Sequence, residues 1–314
     1  MPWKSGYTVS DEIGLRDEEI TWPDGARCCL LVTVNLSVAA GPEGITAAAL
    51  GSSVGQFALG DGLEGLLRVL RRRRVRATFA VPAAIAAVRR DAVRALPEDG
   101  HEVAAHGLRH EDVSGLDREE ERARMRRATE IVAEAAGRRP EGWFSLPRQG
   151  DPFAGGTISP HTMALLRAEG YAYLGNGLAD DAPHWWVTDP AAPGGDAVLM
   201  LPYYYHFDDQ FFCMFPAKGT GLENPDFLLR NWRLELEAQY ARGRCFSMVL
   251  HPQHMGLAHR LEMLDRFLGA LEDFPGLWNP TGAECARHWS ARFPAETHLR
   301  LRPSVWRDYP GSLS

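Results

Sequence analysis

The chain has little that would tie it to a membrane, a disulfide framework or a nucleic acid. Cysteine occurs five times in 314 residues, an odd number, and no two have the CxxC spacing of a metal or redox motif. Cys28, Cys29 and Cys245 lie inside apolar, strand-like runs, where a thiol acts as a small hydrophobe. Reducing surroundings are therefore expected. No apolar run approaches the roughly 20 residues that cross a bilayer. The opening Met-Pro-Trp-Lys-Ser-Gly leads into acidic residues rather than the apolar stretch of a signal peptide, so the expectation is a cytoplasmic protein without a membrane partner. Positive charge is also in deficit. Lys and Arg total 34 against 41 Asp and Glu, a net charge of −7, which argues against general phosphate-backbone binding. The basic run Arg71–Arg74 follows Leu63, Leu66, Leu67 and Leu70 at helical spacing and reads as a helix C-terminus complementing the dipole. Nucleic acid is not an expected partner. No glycine-rich dinucleotide fingerprint follows the first apolar run, and there is no internal repeat or evident linker.

What is present is an alternation of short apolar runs with helical patterns. Strands are expected at 28–36, 76–81, 102–105, 142–146, 171–174, 197–201, 245–250 and 276–278. Helices are expected at 62–73, from 83 to about 96, at 118–136, at 225–241 and at 257–271. Ser159-Pro160 has the form of an N-cap followed by proline at the first helical position, and Asn224-Pro225 repeats it. Buried strands alternating with helices point to a parallel sheet. Seven or eight such units suggest a closed or partly closed barrel rather than an open doubly wound sheet. With 45% apolar residues, residues 1–314 can bury one large core. The expectation is a single α/β domain with surface arms at about 1–25 and 291–314.

In parallel barrels the chemistry sits at the C-terminal ends of strands, and the candidate residues comply. His106 and His110, in His-Gly-Leu-Arg-His after Val103-Ala104-Ala105, could hold a divalent metal through two imidazoles. Catalytic zinc generally takes three protein ligands, and no third is evident, although Glu111 and Asp112 follow directly. His251, directly after Phe246–Leu250, suits a general acid for a leaving nitrogen because its ordinary pKa lies near neutrality. Asn35 and Ser37 end the first strand. Arg148 follows the fourth. The stretch from Leu201 to Gln210 carries Tyr203, Tyr204, Tyr205, His206, Asp208 and Asp209, which either line a pocket, where Asp208 or Asp209 would orient a base or bind substrate, or form an ordinary polar loop. Trp143, Trp185 and Trp186 read as core.

Taken in order, these residues resemble the polysaccharide deacetylase (NodB-like) superfamily. The resemblance is to its cytoplasmic branch of allantoinase-type and peptidoglycan deacetylase-like proteins. It runs from about Trp22 to Trp289. It rests on Trp22-Pro23-Asp24-Gly25-Ala26-Arg27, Ala77-Thr78-Phe79, Gly100–Gly107, Arg139-Pro140-Glu141-Gly142-Trp143, Leu201-Pro202-Tyr203 with Asp208-Asp209, His251-Pro252 and Trp278. It implies a distorted (β/α)7-type barrel and hydrolysis of an amide-like C–N bond. Metal-using members carry Asp-x-Asp on the first strand, the first acting as general base and the second as metal ligand. Here Asn35 matches the base and Ser37 the ligand. The allantoinase-like branch resembles this chain at Asn35 but keeps an acidic residue at the position of Ser37, and it commonly lacks the second histidine retained here as His110.

Two missing carboxylates have a physical consequence. The His106/His110 pair loses a charged ligand, so the expected cofactor is none or a weakly bound divalent metal such as zinc. Without zinc, water keeps its pKa of about 15.7 rather than about 7. An activated C–N bond, as in a cyclic ureide, then demands less than an acetamide. The expected catalytic residues are His251, His106 and Asn35. Ser37, Arg148, Tyr204, His206, Asp208 and Asp209 would bind a small-molecule substrate. A repurposed barrel catalysing dehydration, cyclisation or isomerisation is a second reading, and an inactive ligand-binding relative a third. The resemblance is compatible with a homo-oligomer.

Overall fold

The computed structural model describes residues 15–145, 157–177, 180–189, 196–204, 207–214 and 224–298. Nine strands are present among them: β1 (Cys28–Asn35), β2 (Thr78–Val81), β3 (Glu102–Ala105), β4 (Gly142–Trp143), β5 (Tyr173–Gly177), β6 (His184–Asp189), β7 (Asp196–Pro202), β8 (Cys245–Leu250) and β9 (Leu277–Trp278). They form one sheet in the order β6-β7-β5-β4-β3-β2-β1-β8, with β9 beside the start of β1. The staves β8, β1, β2, β3, β4, β5 and β7 all run parallel, and β6 lies antiparallel outside β7. This is a distorted (β/α) barrel with an incompletely closed sheet. No ladder joins β7 to β8 among the described residues. One isolated parallel bridge, Asp208 to Val249, crosses that seam.

The parallel strands β2, β3, β4, β5 and β8 are buried along their whole length, as parallel strands under helices are. Leu30, Val32, Val34 and Leu36 pack outward with the helices, while Cys29 and Leu31 belong to a separate cluster inside the barrel. The longest helix shows why the outer layer forms. Along Arg118–Ala136, Glu121, Met125, Ala128, Val132 and Ala135 recur at i+3 and i+4 and are buried, Asp117 caps the start, and Gly137 ends the helix at φ 80°.

The structure departs from the sequence expectation at several elements. The alanine-rich helix is two, Ala83–Val88 and Arg90–Glu98, broken at Arg89. Ser159 does not cap a helix. Its hydroxyl donates to Glu121 while its oxygen accepts the His161 N–H, ahead of a helix that starts at Thr162. Strand β6 and the helices Ala47–Gly51, Ser53–Leu59 and Gly282–Arg292 were not expected. The last begins with a capping box between Thr281 and Glu284. Of the expected arms, residues 1–14 and 299–314 lie outside the described residues. Within the described part, Trp22 is buried against Trp278 and Trp289, so this segment plugs the end of the barrel where the strands start.

Candidate functional site

Alternation along the strands selects the residues that can meet inside the barrel. Val34 and Leu36 face the helices, so Asn35 and Ser37 face inward. Val103 and Ala105 face outward and Ala104 inward, which turns His106 into the barrel. Met248 and Leu250 face outward with Cys245 inside, which does the same for His251. Register sets their height. Asn35 lies opposite Ala80, Val81 opposite Ala105, and Val34 opposite Leu250. Asn35, His106 and His251 therefore share the rim at the C-terminal ends of neighbouring strands.

His106 is buried and its Nδ1 lies 2.7 Å from the Phe144 carbonyl oxygen. A carbonyl accepts only, so Nδ1 carries the proton and Nε2 holds a bare lone pair. That Nε2 is buried without a partner, as are His110 Nδ1 and Asn35 Oδ1. The two imidazole rings have centroids 4.1 Å apart. Gly107 at φ 77° and His110 at φ 59° turn the loop back on itself, and histidine is among the few residues that enter this left-handed region. Backbone bonds from Ile45 to the Arg109 carbonyl and from Asp112 to the Pro42 carbonyl hold the turn in place. Burial pulls the pKa of His106 down to about 4, and burial followed by repulsion from His106 and His251 holds His110 well below its ordinary value. Both rings are neutral near pH 7.

His251 has the opposite environment. Its Nδ1 is 2.7 Å from Asp209 Oδ1 and 3.5 Å from Asp208 Oδ1, and its backbone N–H also donates to Asp209. Burial favours the neutral ring, but attraction to Asp208 and Asp209 and the bond to Asp209 outweigh it, so the pKa is raised. The protonated ring, which these carboxylates favour, carries a second N–H at Nε2 that can serve as an acid. Asp208 is itself held by the Tyr203 hydroxyl at 2.6 Å and the Gln210 N–H at 2.8 Å. Burial raises its pKa, which the His251 charge partly offsets.

The expected site residues thus divide. Asn35, Ser37, His106, His110 and His251 come together at the rim. Asp208 and Asp209 are buried behind His251, placed to orient it rather than open to a ligand. Tyr204 is partly buried beside Phe207. Arg148 and His206 lie outside the described residues. Two partners were missed: the Phe144 carbonyl and the Tyr203 hydroxyl. Counting by twos from Leu199 and Leu201, both inside the barrel, would have singled out Tyr203 over Tyr204.

The donor set can be tested against a resident divalent metal. Neutral imidazoles suit one, but Ser37 offers no charge. Glu111 is taken by the Arg109 N–H at 2.6 Å, and Asp112 by Ser114 and Thr157. Among the described residues, only Asp208, Asp209 and His251 form a group of three or more His, Cys, Asp or Glu donors within 4.8 Å. Their Nδ1 and oxygens are already committed to one another, to Tyr203 and to backbone N–H groups. Among the described residues the His106/His110 pair has no third protein ligand of the kind a catalytic zinc site takes, so these residues by themselves do not fit a tightly held zinc.

Comparisons with known proteins agree with this layout. Residues 58–173 match the family model for polysaccharide deacetylase. A Schizosaccharomyces pombe protein named for polysaccharide deacetylation is 25% identical over 221 residues, 64% of this chain and 64% of that one. The crystal structure titled probable polysaccharide deacetylase from Pseudomonas aeruginosa PAO1 superposes with TM-score 0.73 at 25% identity, covering 90% of this chain and 96% of that chain. Puue allantoinase shares the fold at TM-score 0.73 and 24% identity, over 90% and 95% of the two chains.

Proposed function

This chain belongs to the polysaccharide deacetylase (NodB-like) superfamily, and we propose that it hydrolyses a non-peptide C–N bond in a small amide or cyclic ureide. The observation that carries this reading is the separation of proton affinities on one rim. His251 is held as the acid by Asp209, and His106 is held neutral with its Nε2 lone pair free. Environments that push two titratable groups apart assign the acid and the base.

In this mechanism water loses a proton to His106 Nε2 as its oxygen adds to the carbonyl carbon. The Asn35 side chain donates to the developing oxyanion. Collapse breaks the C–N bond, and His251 Nε2–H protonates the leaving nitrogen. The products are a carboxylic acid and an amine or amide. His106, with its pKa near 4, is a weak base. General-base efficiency is best with a pKa near the working pH, so the scheme favours a C–N bond activated by a second carbonyl over a plain acetamide. Ser37 faces the same interior and would contact the substrate. No step runs through a metal.

The test is turnover by the purified protein of a panel of hydantoins, cyclic imides and N-acetylated sugars, followed by NMR. We expect hydrolysis of a cyclic member. His251→Asn should lower it by about 100-fold or more, the usual contribution of a positioned acid. Undiminished turnover in that variant would overturn the assignment.

A further inference from the structure

The helix Pro225–Arg242 buries Leu228, Trp232, Leu236 and Gln239 and turns an apolar stripe to solvent. At about 100° per residue, Phe227, Asn231, Leu234, Ala238 and Ala241 fall within an arc of about 80°, and all five are exposed. Phe227 is 59% exposed and Leu234 54%, where a surface helix ordinarily carries polar residues. Their spacing of four, three, four and three residues is the repeat of a helix-on-helix seam, with a single polar Asn inside it. The charges flanking the stripe are of two kinds. On one edge Glu235 accepts from Gln239, and Arg242 pairs with Asp17 and Asp181, all within the chain. On the other edge stand Arg230 and Glu237. Among the described residues Arg230 has no ion-pair partner, and Glu237 meets only Arg233, in a pair about half exposed on both sides.

We propose that this face binds a second copy of the chain, the two Pro225–Arg242 helices running antiparallel about a two-fold axis at Leu234. A two-fold contact sets the same patch against itself, and this patch is complementary to itself in that orientation. Leu234 meets the partner's Leu234 on the axis. Phe227, seven residues before the axis, meets the partner's Ala241, seven after it, so the bulky half of each stripe fills the small half of the other. Arg230 and the partner's Glu237 lie on the same edge and within one residue of the same height, which pairs opposite charges twice across the axis. A parallel pair would instead stack Phe227 on Phe227 and leave Ala241 facing Ala241, splaying the helices. Its crossed charge pairs would also need Glu235 and Arg242, which are already engaged within each chain.

Sedimentation velocity of the full chain, over a concentration series reaching about 200 µM, reads the association; one helix face on another is a small contact, so micromolar dimerisation is expected. Leu234→Glu sets two carboxylates against each other on the axis and should weaken the dimer by about tenfold or more. Because that side chain is more than half exposed, melting of dilute samples should stay at the wild-type value. Arg230→Glu should weaken the dimer as well, and adding Glu237→Arg should restore it, as a direct contact between these two positions requires. Cross-linking reads the orientation. Leu234→Cys should form a disulfide between two copies under oxidised glutathione. Phe227→Cys should not link to itself, its two sites lying about 21 Å apart along the helices, but should link to Ala241→Cys when the two variants are mixed. A monomer across the whole series, a dimer indifferent to both Leu234→Glu and the charge exchange, or self-linking of Phe227→Cys would each overturn the proposal.

Discussion

His251 is the residue on which the chemistry turns, and its charge state depends on what lies behind it. Asp209 is fully buried and touches the ring at 2.7 Å. Replacing it with Asn removes the nearer carboxylate while keeping the shape. The raised pKa of His251 should then fall. The imidazolium is present below that pKa and lost as pH rises through it, so the alkaline limb of turnover should move to lower pH in Asp209→Asn. The stability linked to this protonation follows the same sign, being complete below the ordinary value of 6.5 and lost as pH rises through the raised one. An NMR titration of the His251 C2–H reads the change directly, and an unmoved midpoint would show that Asp208 alone sets the charge. Much of this was legible beforehand. His106, His110 and His251 follow apolar strands, and alternation fixes which way they point. For Asp208 and Asp209 the sequence left two roles open, orienting a base or binding substrate, because their position depends on a bridge between segments far apart in sequence.

At the scale of elements, the rim is built by strands that hold each other in place. The Phe144 carbonyl, just beyond β4, fixes the His106 tautomer, and the Phe144 ring packs against Gly175 of β5. A β-carbon at position 175 would overlap that ring. Gly175→Ala should therefore cost about 1–3 kcal/mol, as overpacking typically does, and disturb the His106 resonance as the carbonyl shifts. Thermal melting and the same histidine spectra check this, and a variant with wild-type melting would show Phe144 free to yield. Element boundaries were readable where one local signal dominated. Gly137 ends the 118–136 helix and Asn224 caps the next long one. They were unreadable where a distant group decided. Ser159 has the look of a cap, but its hydroxyl is drawn to the buried Glu121 and its oxygen accepts from His161, one residue ahead of the helix. Strand β6 exists by pairing with β7 across residues 184–200, and nothing within His184–Asp189 announces a partner.

For the whole molecule, the question is how a seven-stave barrel survives an open seam between β7 and β8. Two devices cross it, one at each end. At the rim, the Asp208–Val249 bridge also delivers Asp208 and Asp209 to His251. At the opposite end, Arg244 just before β8 reaches Asp17 at 2.5 Å, Asp180 at 2.6 Å, Asp181, and the Leu15 carbonyl at 2.7 Å. Its side chain is only 8% exposed while Asp17 is 34% exposed, so the cluster is partly buried rather than a surface pair. It ties the N-terminal segment and the loop before β6 to β8. Taking away Arg244 leaves carboxylates that water can partly screen, so the loss stays below the figure for a fully buried pair, and Arg242 remains to pair with Asp17 and Asp181. Arg244→Met should therefore be measurably less stable in urea denaturation and expose the segment around Asp17 to limited proteolysis. The rim should respond differently. Its carboxylates are held by Tyr203 and the Val249 bridge, and Trp232 donates to the Phe207 carbonyl beside them. The His251 titration midpoint should accordingly stay at its wild-type value in Arg244→Met. A shifted midpoint would mean that the two ends of the seam open as one unit, so that closure of the barrel and the charge of its acid cannot be separated.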